Sequence, residues 1–347
     1  MANKTFREAL NEAIGQEMKR DRNVLLIGED VRGGAGGSGG EIEAMGGVLG
    51  VSKGLWTQYG SSRVIDTPIT ESAILGMAAG AALTGLRPIA ELMFFDFLGV
   101  CMDALYNQAA KFRYMFGGKA KTPLVVRGMI GAGLRTSAQH SQSPYHILTS
   151  IPGLKVVVPS NAYDAKGLLV QAIRDDDPVI FCEHKTLYDT KAEVPDELYT
   201  IPFGEARVVR SGADVTIVAL GRMVQHATTA AQILAKEGIS AEVIDPRTTS
   251  PLDLDTIVES GDKTRRMVVV DESAARCGFA HDVAATVQTQ LHWRLLAPIG
   301  MVTPPHTPVP FAPVLEDAWI PSPASIANAV RMTLSDKARL AANKGRG

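Results

Sequence analysis

Apolar and polar positions follow two kinds of pattern along the chain. A helical repeat from Phe6 to Met18 is followed by short apolar runs typical of buried strands, each leading into a further helical repeat. The pattern lapses between residues 185 and 212, where prolines and alternating charges replace it, and a second series begins at Asp214. Strands that alternate with helices predict mostly parallel sheets, so the predicted fold class is α/β.

The length of the chain divides this pattern into two domains. A single hydrophobic core seldom extends over more than about 250–300 residues, and this chain has 347 residues, 46% of them hydrophobic. We predict a first domain over residues 1–185, a crossing linker over 186–212 and a second domain over 213–347. Each of the two domains is expected to contain a mostly parallel sheet.

The stretch from Arg63 to Gly118 contains the most distinctive helix. Pro68 ends a predicted strand, Thr70 is placed to cap a helix, and Glu71 lies in its first turn. Small and apolar residues follow, so this helix is predicted to pack on all sides in the interior. Two interpretations of Glu71 stay open: an acid that complements the helix dipole, or a partly desolvated carboxyl that shares a proton with a ligand nitrogen.

Charge and cysteine usage exclude several classes of function. The formal net charge is -2, from 35 basic and 37 acidic residues without long runs, so neither nucleic acid nor a membrane surface is an expected partner. The longest mostly apolar run, Ser72 to Leu86, is shorter than the about 20 residues needed to cross a bilayer. Cys101, Cys182 and Cys277 lack metal-ligand spacing and are predicted to be buried free thiols, which favours a cytoplasmic location.

Two loops are candidates for a functional site. In the glycine-dense loop over residues 33–50, Gly34, Gly36 and Gly39 match dinucleotide-binding spacing, but no helical repeat opens directly behind them. We interpret it as a mobile loop beside a substrate entrance. The second loop contains His140, which is either a hydrogen-bonded surface residue or a functional group at the end of a parallel strand.

Composition and spacing alone carry the interpretation no further than a two-domain α/β protein. No P-loop, nucleophile elbow or zinc-type spacing occurs in the sequence. An aromatic and thioether cluster is either part of the core or a seat for a cofactor; its members are Met93, Phe94, Phe95 and Phe97.

Several segments occur in an order that resembles one family. RVIDTPITE, GLRPIAELMFFDF, QAAKFRYMFGG, AQHSQSPY, IPGLKVVVPSNAYDAKGLL and EVIDPRTTSPLD resemble the β subunit of the thiamine-diphosphate-dependent first component of 2-oxo acid dehydrogenase complexes. The resemblance implies a transketolase-like pyrimidine-binding domain followed by a transketolase C-terminal domain. The glycine loop, ELMFFDF and TPPHTPVPFAPVLED most resemble the acetoin-cleaving members. The alternatives are a pyruvate or branched-chain 2-oxo acid dehydrogenase subunit and a non-catalytic scaffolding subunit.

The resemblance also implies a cofactor shared with a second chain. Thiamine diphosphate would lie between an α and a β subunit of an α2β2 assembly, and the α subunit would bind magnesium and the diphosphate. This chain lacks the Gly-Asp-Gly segment followed by asparagine that serves that purpose. Breaking a bond next to a carbonyl requires an electron sink, which the thiazolium supplies. A lipoyl-bearing acyltransferase would then receive the acetyl group.

The resemblance assigns a role to five residues of this chain. Glu71 matches the carboxyl that hydrogen-bonds the pyrimidine nitrogen, and Phe97 matches the ring that stacks on the pyrimidine. Met93 lines the same seat, and Glu29 matches an acid associated with proton communication between paired sites. His140 matches a histidine near the reactive carbon, where a general acid–base is required.

A structural potassium ion is a further implication of the resemblance. Ala172, Asp175 and Asp177 fall where some relatives bind this ion, although Asp177 replaces the asparagine found in certain of them. The alternative is a solvated acidic turn before Pro178.

Overall fold

The computed structural model describes residues 1–33 and 46–335, which form two compact units. Of the described residues, 1–33, 46–130 and 147–203 belong to the first unit, and 131–146 and 204–335 belong to the second. The unit boundary near residue 203 lies inside the predicted linker. The loop with His140, predicted within the first domain, is instead grouped with the second unit. The glycine pattern at Gly34, Gly36 and Gly39 and the tail from residue 336 lie outside the described residues.

The first unit is built on parallel strands. Six of its strands run in the order β6-β7-β5-β4-β2-β3, and each neighbouring pair is parallel. A short antiparallel pair, β1 with β8, accompanies them. The strands are β1 Ala2–Thr5, β2 Val24–Glu29, β3 Val64–Thr67, β4 Arg87–Phe94, β5 Val125–Ile130, β6 Lys155–Val157, β7 Val179–His184 and β8 Lys191–Val194.

Helices connect these strands. They are α1 Phe6–Arg20, α2 Leu55–Tyr59, α3 Glu71–Leu83, α4 Leu98–Asp103, α5 Phe112–Met115, α6 Tyr145–Thr149 and α7 Ala162–Arg174. One core lies between α1, α7 and one face of the sheet, where Leu26, Ile89 and Val125 are buried. Because successive strand residues point to opposite faces, Ile27 and Ala90 are directed away from that core. Contacts of α3 with β2 and β4 cover part of the sheet.

The structure corrects two predictions about α3. Thr70 occupies the N-cap position, but its side chain makes no capping hydrogen bond. The helix is buried only along Ile74, Leu75, Ala78, Ala79 and Ala82. Its opposite face is exposed, because β2, β4 and α4 of this chain cover only one side; the exposed members include Ser72, Ala73, Gly76, Met77 and Gly80.

The second unit contains a five-stranded sheet in the order β14-β13-β10-β11-β9, parallel except for β9. Its strands are β9 Arg207–Arg210, β10 Val215–Ala219, β11 Ala241–Asp245, β12 Thr248–Ser250, β13 Met267–Val270 and β14 Gly300–Val302. Its helices are α8 Arg222–Ala235, α9 Leu254–Thr264, α10 Phe279–Leu291, α11 Pro313–Trp319 and α12 Pro323–Leu334. The buried core lies around β10, β11, β13, α8 and α12.

Parts of the predicted linker and of the proline-rich C-terminal run have regular structure. Within residues 186–212, β8 pairs with β1 and β9 pairs with β11, although neither strand has a clear alternating pattern. The helices α10 and α11 and the strand β14 were not predicted. The strands β8 and β9 depend on partners far away in sequence, so periodicity within one segment does not reveal them. Helix α10, in contrast, has helical spacing at Phe279, Val283, Val287 and Leu291.

Candidate functional site

Four of the predicted site residues lie in the first unit, at the carboxyl ends of neighbouring parallel strands. Glu29 ends β2 and pairs with Thr67, the last residue of β3. Glu71 begins α3 four residues later. On the other side of β2, β4 carries Met93 near its end, and Phe97 follows in a single 3-10 turn. Ligand sites of open parallel sheets form at this edge, so these residues are placed where a ligand could bind.

Neighbouring carboxylates at this edge affect the pKa of Glu29. Burial raises the pKa of Glu29 above its ordinary value, and the neighbouring charges of Asp30, Glu71 and Asp66 raise it further. Burial together with Asp66 also raises the pKa of Asp30. Like charges close together disfavour ionisation, so Glu29 and Asp30 lose their protons at a higher pH than solvated carboxyls do.

Helix α4 packs against α3. The Ser72 hydroxyl donates a hydrogen bond of 2.7 Å to the Val100 carbonyl, which ties the two helices together. Burial, followed by the charge of Glu71, raises the pKa of the Cys101 thiol to about 12. Cys101 is therefore a protonated, buried neighbour of Glu71 rather than a nucleophile.

A buried ion network beneath Met93 was not predicted from the sequence. Arg127 on β5 forms a bidentate pair with Glu183 on β7, with N–O distances of 2.7 and 2.5 Å, and also pairs with Glu91 on β4. The Tyr188 hydroxyl donates to Glu183 at 2.6 Å. Glu91, Met93, Arg127 and Tyr188 line a cavity of about 10 Å³, which is large enough for one water molecule. The available signal was a charged residue inside each of three otherwise apolar strands.

Glycine is required where this network meets the aromatic turn. A Cβ at Gly128 would lie 2.3 Å from the Leu92 carbonyl oxygen and 3.3 Å from the Phe95 ring. The β4–β5 register shifts at this point, between Leu92 and Phe94. The missing side chain at residue 128 therefore lets β4 bulge and the turn that carries Phe97 pack closely.

The fifth predicted residue, His140, lies in the second unit. It ends a 3-10 turn, Ala138–His140, and is half-buried. The Thr136 hydroxyl donates to the His140 carbonyl at 2.9 Å. Nearby, Arg135 and Ser137 have positive φ angles of 57° and 68°. Non-glycine residues in such conformations require support from their surroundings.

The residues matched to a potassium site are engaged by protein groups. Both oxygens of Asp175 accept from Lys155 at 2.7 Å, and Asp177 pairs with Arg113. The Ala172 carbonyl accepts the backbone N–H of Asp175 at 3.3 Å. Within residues 1–33 and 46–335, no cluster of three or more His, Cys, Asp or Glu side chains is arranged to hold a metal ion.

Two further predictions concern the surface and the thiols. In the part of the chain that the structure describes, no helix combines the length and apolar character of a membrane span. Cys101 and Cys182 are buried as predicted, whereas the prediction for Cys277 was wrong because this residue is exposed. It lies at a positive φ of 56° in the loop before α10, outside the core.

Comparison with known proteins defines the class of the chain. Residues 2–191 match the family model for the transketolase pyrimidine binding domain, and residues 204–326 match that for the transketolase C-terminal domain. A split-gene transketolase, solved as an inactive β4 tetramer, has the same fold with a TM-score of 0.74 at 22% identity, over 95% of this chain and 97% of that one. The predicted two-domain α/β fold is confirmed.

Three relatives narrow the class. The chain is 61% identical to the β subunit of acetoin:2,6-dichlorophenolindophenol oxidoreductase from Cupriavidus necator, over 94% of this chain and 96% of the relative. Identity to the Bacillus subtilis subunit of the same name is 56%, over 95% and 97%. Identity to the β subunit of the Bacillus subtilis pyruvate dehydrogenase E1 component is 42%, over 96% and 99%. The chain therefore belongs to the transketolase-type family of these β subunits, as the resemblance predicted.

Proposed function

We propose that the chain is the β subunit of a thiamine-diphosphate-dependent acetoin dehydrogenase, which cleaves acetoin oxidatively to acetaldehyde and an acetyl group. The observation that carries this proposal is the difference in identity between two groups of relatives. Two acetoin oxidoreductase β subunits are 61% and 56% identical, whereas the pyruvate dehydrogenase β subunits are 42–45% identical over similar lengths.

The first unit offers groups that suit the pyrimidine end of the cofactor. An aminopyrimidine has polar ring nitrogens at its edge and two apolar faces, and a carboxyl and an aromatic ring at one sheet edge match these two features. Glu71 would exchange a proton with the ring nitrogen, Phe97 would pack on the ring face, and Met93 would line the seat. Glu29, whose pKa is raised by burial and by neighbouring carboxylates, would keep a second exchangeable proton close to Glu71.

His140 would perform the proton transfer at the substrate. Cleaving the carbon–carbon bond of acetoin releases acetaldehyde, and the hydroxyl proton must leave as the new carbonyl forms. An imidazole is suited to take that proton at neutral pH. When bound, the cofactor accepts the electron pair of the broken bond in its thiazolium ring.

The proposed assembly is an α2β2 tetramer. Helix α3 exposes Ala73, Gly76, Met77 and Gly80, a surface of small and apolar residues that close packing against another chain would bury. The α subunit would bind magnesium and the diphosphate, and a lipoyl-bearing acyltransferase would accept the acetyl group. A cytoplasmic location and a potassium ion at the turn with Asp175 and Asp177 remain predictions from the sequence.

Substrate oxidation by the reconstituted enzyme tests the proposal. Purified α and β chains, thiamine diphosphate, magnesium and 2,6-dichlorophenolindophenol are mixed, and dye reduction is followed with acetoin or pyruvate. We expect reduction with acetoin and little with pyruvate. Reduction with pyruvate alone would favour the second candidate, a pyruvate dehydrogenase subunit, which the 42% identity supports. Full activity of the α chain without β would instead favour a scaffolding subunit.

A further inference from the structure

The loop that carries His140 is attached at both ends to buried carboxylates of the second unit. At its start, the Ala132 N–H donates to Glu272 at 2.7 Å. At its end, the Tyr145 hydroxyl donates to Asp271. Glu272 and Asp271 are 4% and 0% exposed, and Ala132 packs in the core of the unit. The ends of the loop are thus fixed by the fold of the second unit.

A third carboxylate, that of Glu316, accepts hydrogen bonds from the middle of the loop. This side chain lies on α11 and is fully buried. It accepts the Gly133 N–H at 2.7 Å and the Arg135 N–H at 3.2 Å, and it pairs with the Arg135 guanidinium. All three donors come from the loop, so the buried charge is neutralised by the loop itself.

The hydrogen bonds that the loop donates to Glu316 lie next to the hydrogen bond that Thr136 donates to His140. Residue 135 is held at a positive φ of 57°, and the next residue, Thr136, donates through its hydroxyl to the His140 carbonyl at 2.9 Å. The Gly131 N–H donates to the Gln142 carbonyl at 3.0 Å and closes the loop around these residues. A change at Glu316 would therefore reach His140 through the backbone of Arg135 and Thr136.

We propose that Glu316 is a positioning residue for His140, holding the loop in the one conformation in which the imidazole meets the substrate. This inference rests on the proposed role of His140. Glu316 itself touches neither substrate nor cofactor in this scheme. Its contribution is to fix a strained backbone, so that the imidazole does not have to be ordered during each turnover.

Glu316→Gln is the informative substitution, because it preserves size and removes charge. A carboxylate presents two acceptor oxygens, whereas an amide presents one oxygen and one NH₂ group. The NH₂ group would face either the Gly133 N–H or the Arg135 donors and could accept from neither. The variant should therefore lose the hydrogen bonds to either Gly133 or Arg135, while the side chain at residue 316 still fills the same space.

Steady-state kinetics of the reconstituted α and β chains test the proposal. We expect Glu316→Gln to lower kcat for acetoin by about tenfold to a hundredfold, with KM and the affinity for thiamine diphosphate changed less than about twofold. Glu242→Gln is the matched control: Glu242 is a buried carboxylate of the same unit that accepts the Gly212 N–H and pairs with Lys263. It should lose thermal stability and retain kcat. Equal losses of kcat in both variants would overturn the proposal.

A double-mutant cycle with His140→Ala separates the proposal from the proposed function. If Glu316 acts through His140, Glu316→Gln should have almost no further effect on kcat once the imidazole is removed. The same fold-loss in both backgrounds would overturn the positioning role. Full activity of His140→Ala alone would overturn the role assigned to His140, and turnover of pyruvate instead of acetoin would change only the substrate. Should Glu316→Gln fail to fold, Arg135→Gln, which removes the ion pair and keeps the backbone hydrogen bonds, should show a smaller loss of kcat with the same dependence on His140.

Discussion

The strand ends of the first unit and the His140 loop of the second unit hold the side chains that we predict to be functional in different ways. Glu29, Glu71 and Met93 belong to regular elements, whose backbone hydrogen bonds fix their positions. His140 lies in a segment with little regular structure, and buried carboxylates of the second unit hold that segment. A side chain on a strand or helix is positioned by regular backbone hydrogen bonds, whereas one on an irregular loop depends on the side chains that hold the loop.

The two regions also differ in the groups that surround their acids. At the strand ends, Glu29 is surrounded by Asp30, Asp66 and Glu71, so its pKa is raised. In the loop region, Glu316 accepts three donors including a guanidinium. The first arrangement raises the pKa of a carboxyl, and the second provides an acceptor that orders the backbone of the loop.

The largest expected effect is at Glu71. Glu71→Gln keeps the size of the side chain and removes proton exchange, so kcat for acetoin in the α and β assembly should fall by at least about a hundredfold. Its thermal stability should change little. Asp255→Asn is the control, because Asp255 also lies in the first turn of a helix. If Glu71 only complements the helix dipole, the two substitutions should have similar effects on kcat and on thermal stability. Retention of activity in Glu71→Gln would remove this residue from the site.

Breaking the ion network beneath Met93 should strongly destabilise the first unit. Arg127→Met leaves the buried Glu183 without its cation, which should lower the free energy of unfolding by about 3–5 kcal/mol. Urea denaturation of the purified chain measures this loss. Arg331→Met, which breaks the surface pair with Glu237, should cost far less. A comparable loss of unfolding free energy in the two variants would contradict the claim that a buried ion pair costs more to break than a surface pair.

The raised pKa of Glu29 predicts how the effect of Glu29→Gln on thermal stability depends on pH. Because the folded-state pKa of Glu29 is raised, its contribution to stability is fully present below the unfolded pKa and is lost as pH rises through the folded pKa. Glu29→Gln should therefore raise Tm at pH 7 relative to the parent chain, by about 2 °C, and the gain should disappear near pH 4.

The control is Glu8→Gln, for which we expect the opposite dependence of stability on pH. The backbone hydrogen bond from Thr5 lowers the pKa of Glu8, so Glu8 stabilises above the unfolded pKa and that stability is lost as pH falls. Glu8→Gln should lower Tm at pH 7 and have little effect near pH 3. If the change in Tm followed the same pH dependence in both variants, the folded-state pKa of Glu29 would not be raised.

The smallest expected effects concern helix capping. Thr5 forms a capping box with Glu8 at the start of α1, whereas Thr70 makes no capping hydrogen bond at the start of α3. Thr5→Ala should cost about 1 kcal/mol of unfolding free energy, and Thr70→Ala should cost almost nothing. A loss at Thr70 equal to that at Thr5 would mean that Thr70 caps α3 in solution.

The sequence by itself determined the α/β class, most of the central strands and the position of Glu71 at the start of α3. These features follow from local physics, since apolar periodicity, proline placement and helix-start residues act over a few positions. Family resemblance added the prediction of which residues would contact a pyrimidine ring. The same local signals overestimated Thr70, because its side chain has the right chemistry for a cap but does not make the bond.

Tertiary structure alone decided which unit holds His140 and which acids support it. Glu316 lies 181 residues beyond Arg135 in the chain, and Glu183 lies 56 residues beyond Arg127. No local pattern relates such pairs, because a buried charge is matched by whichever donor the fold brings to it. The exposed face of α3 was mispredicted for a related reason: periodicity shows that a surface is apolar, and only packing shows whether the same chain covers it.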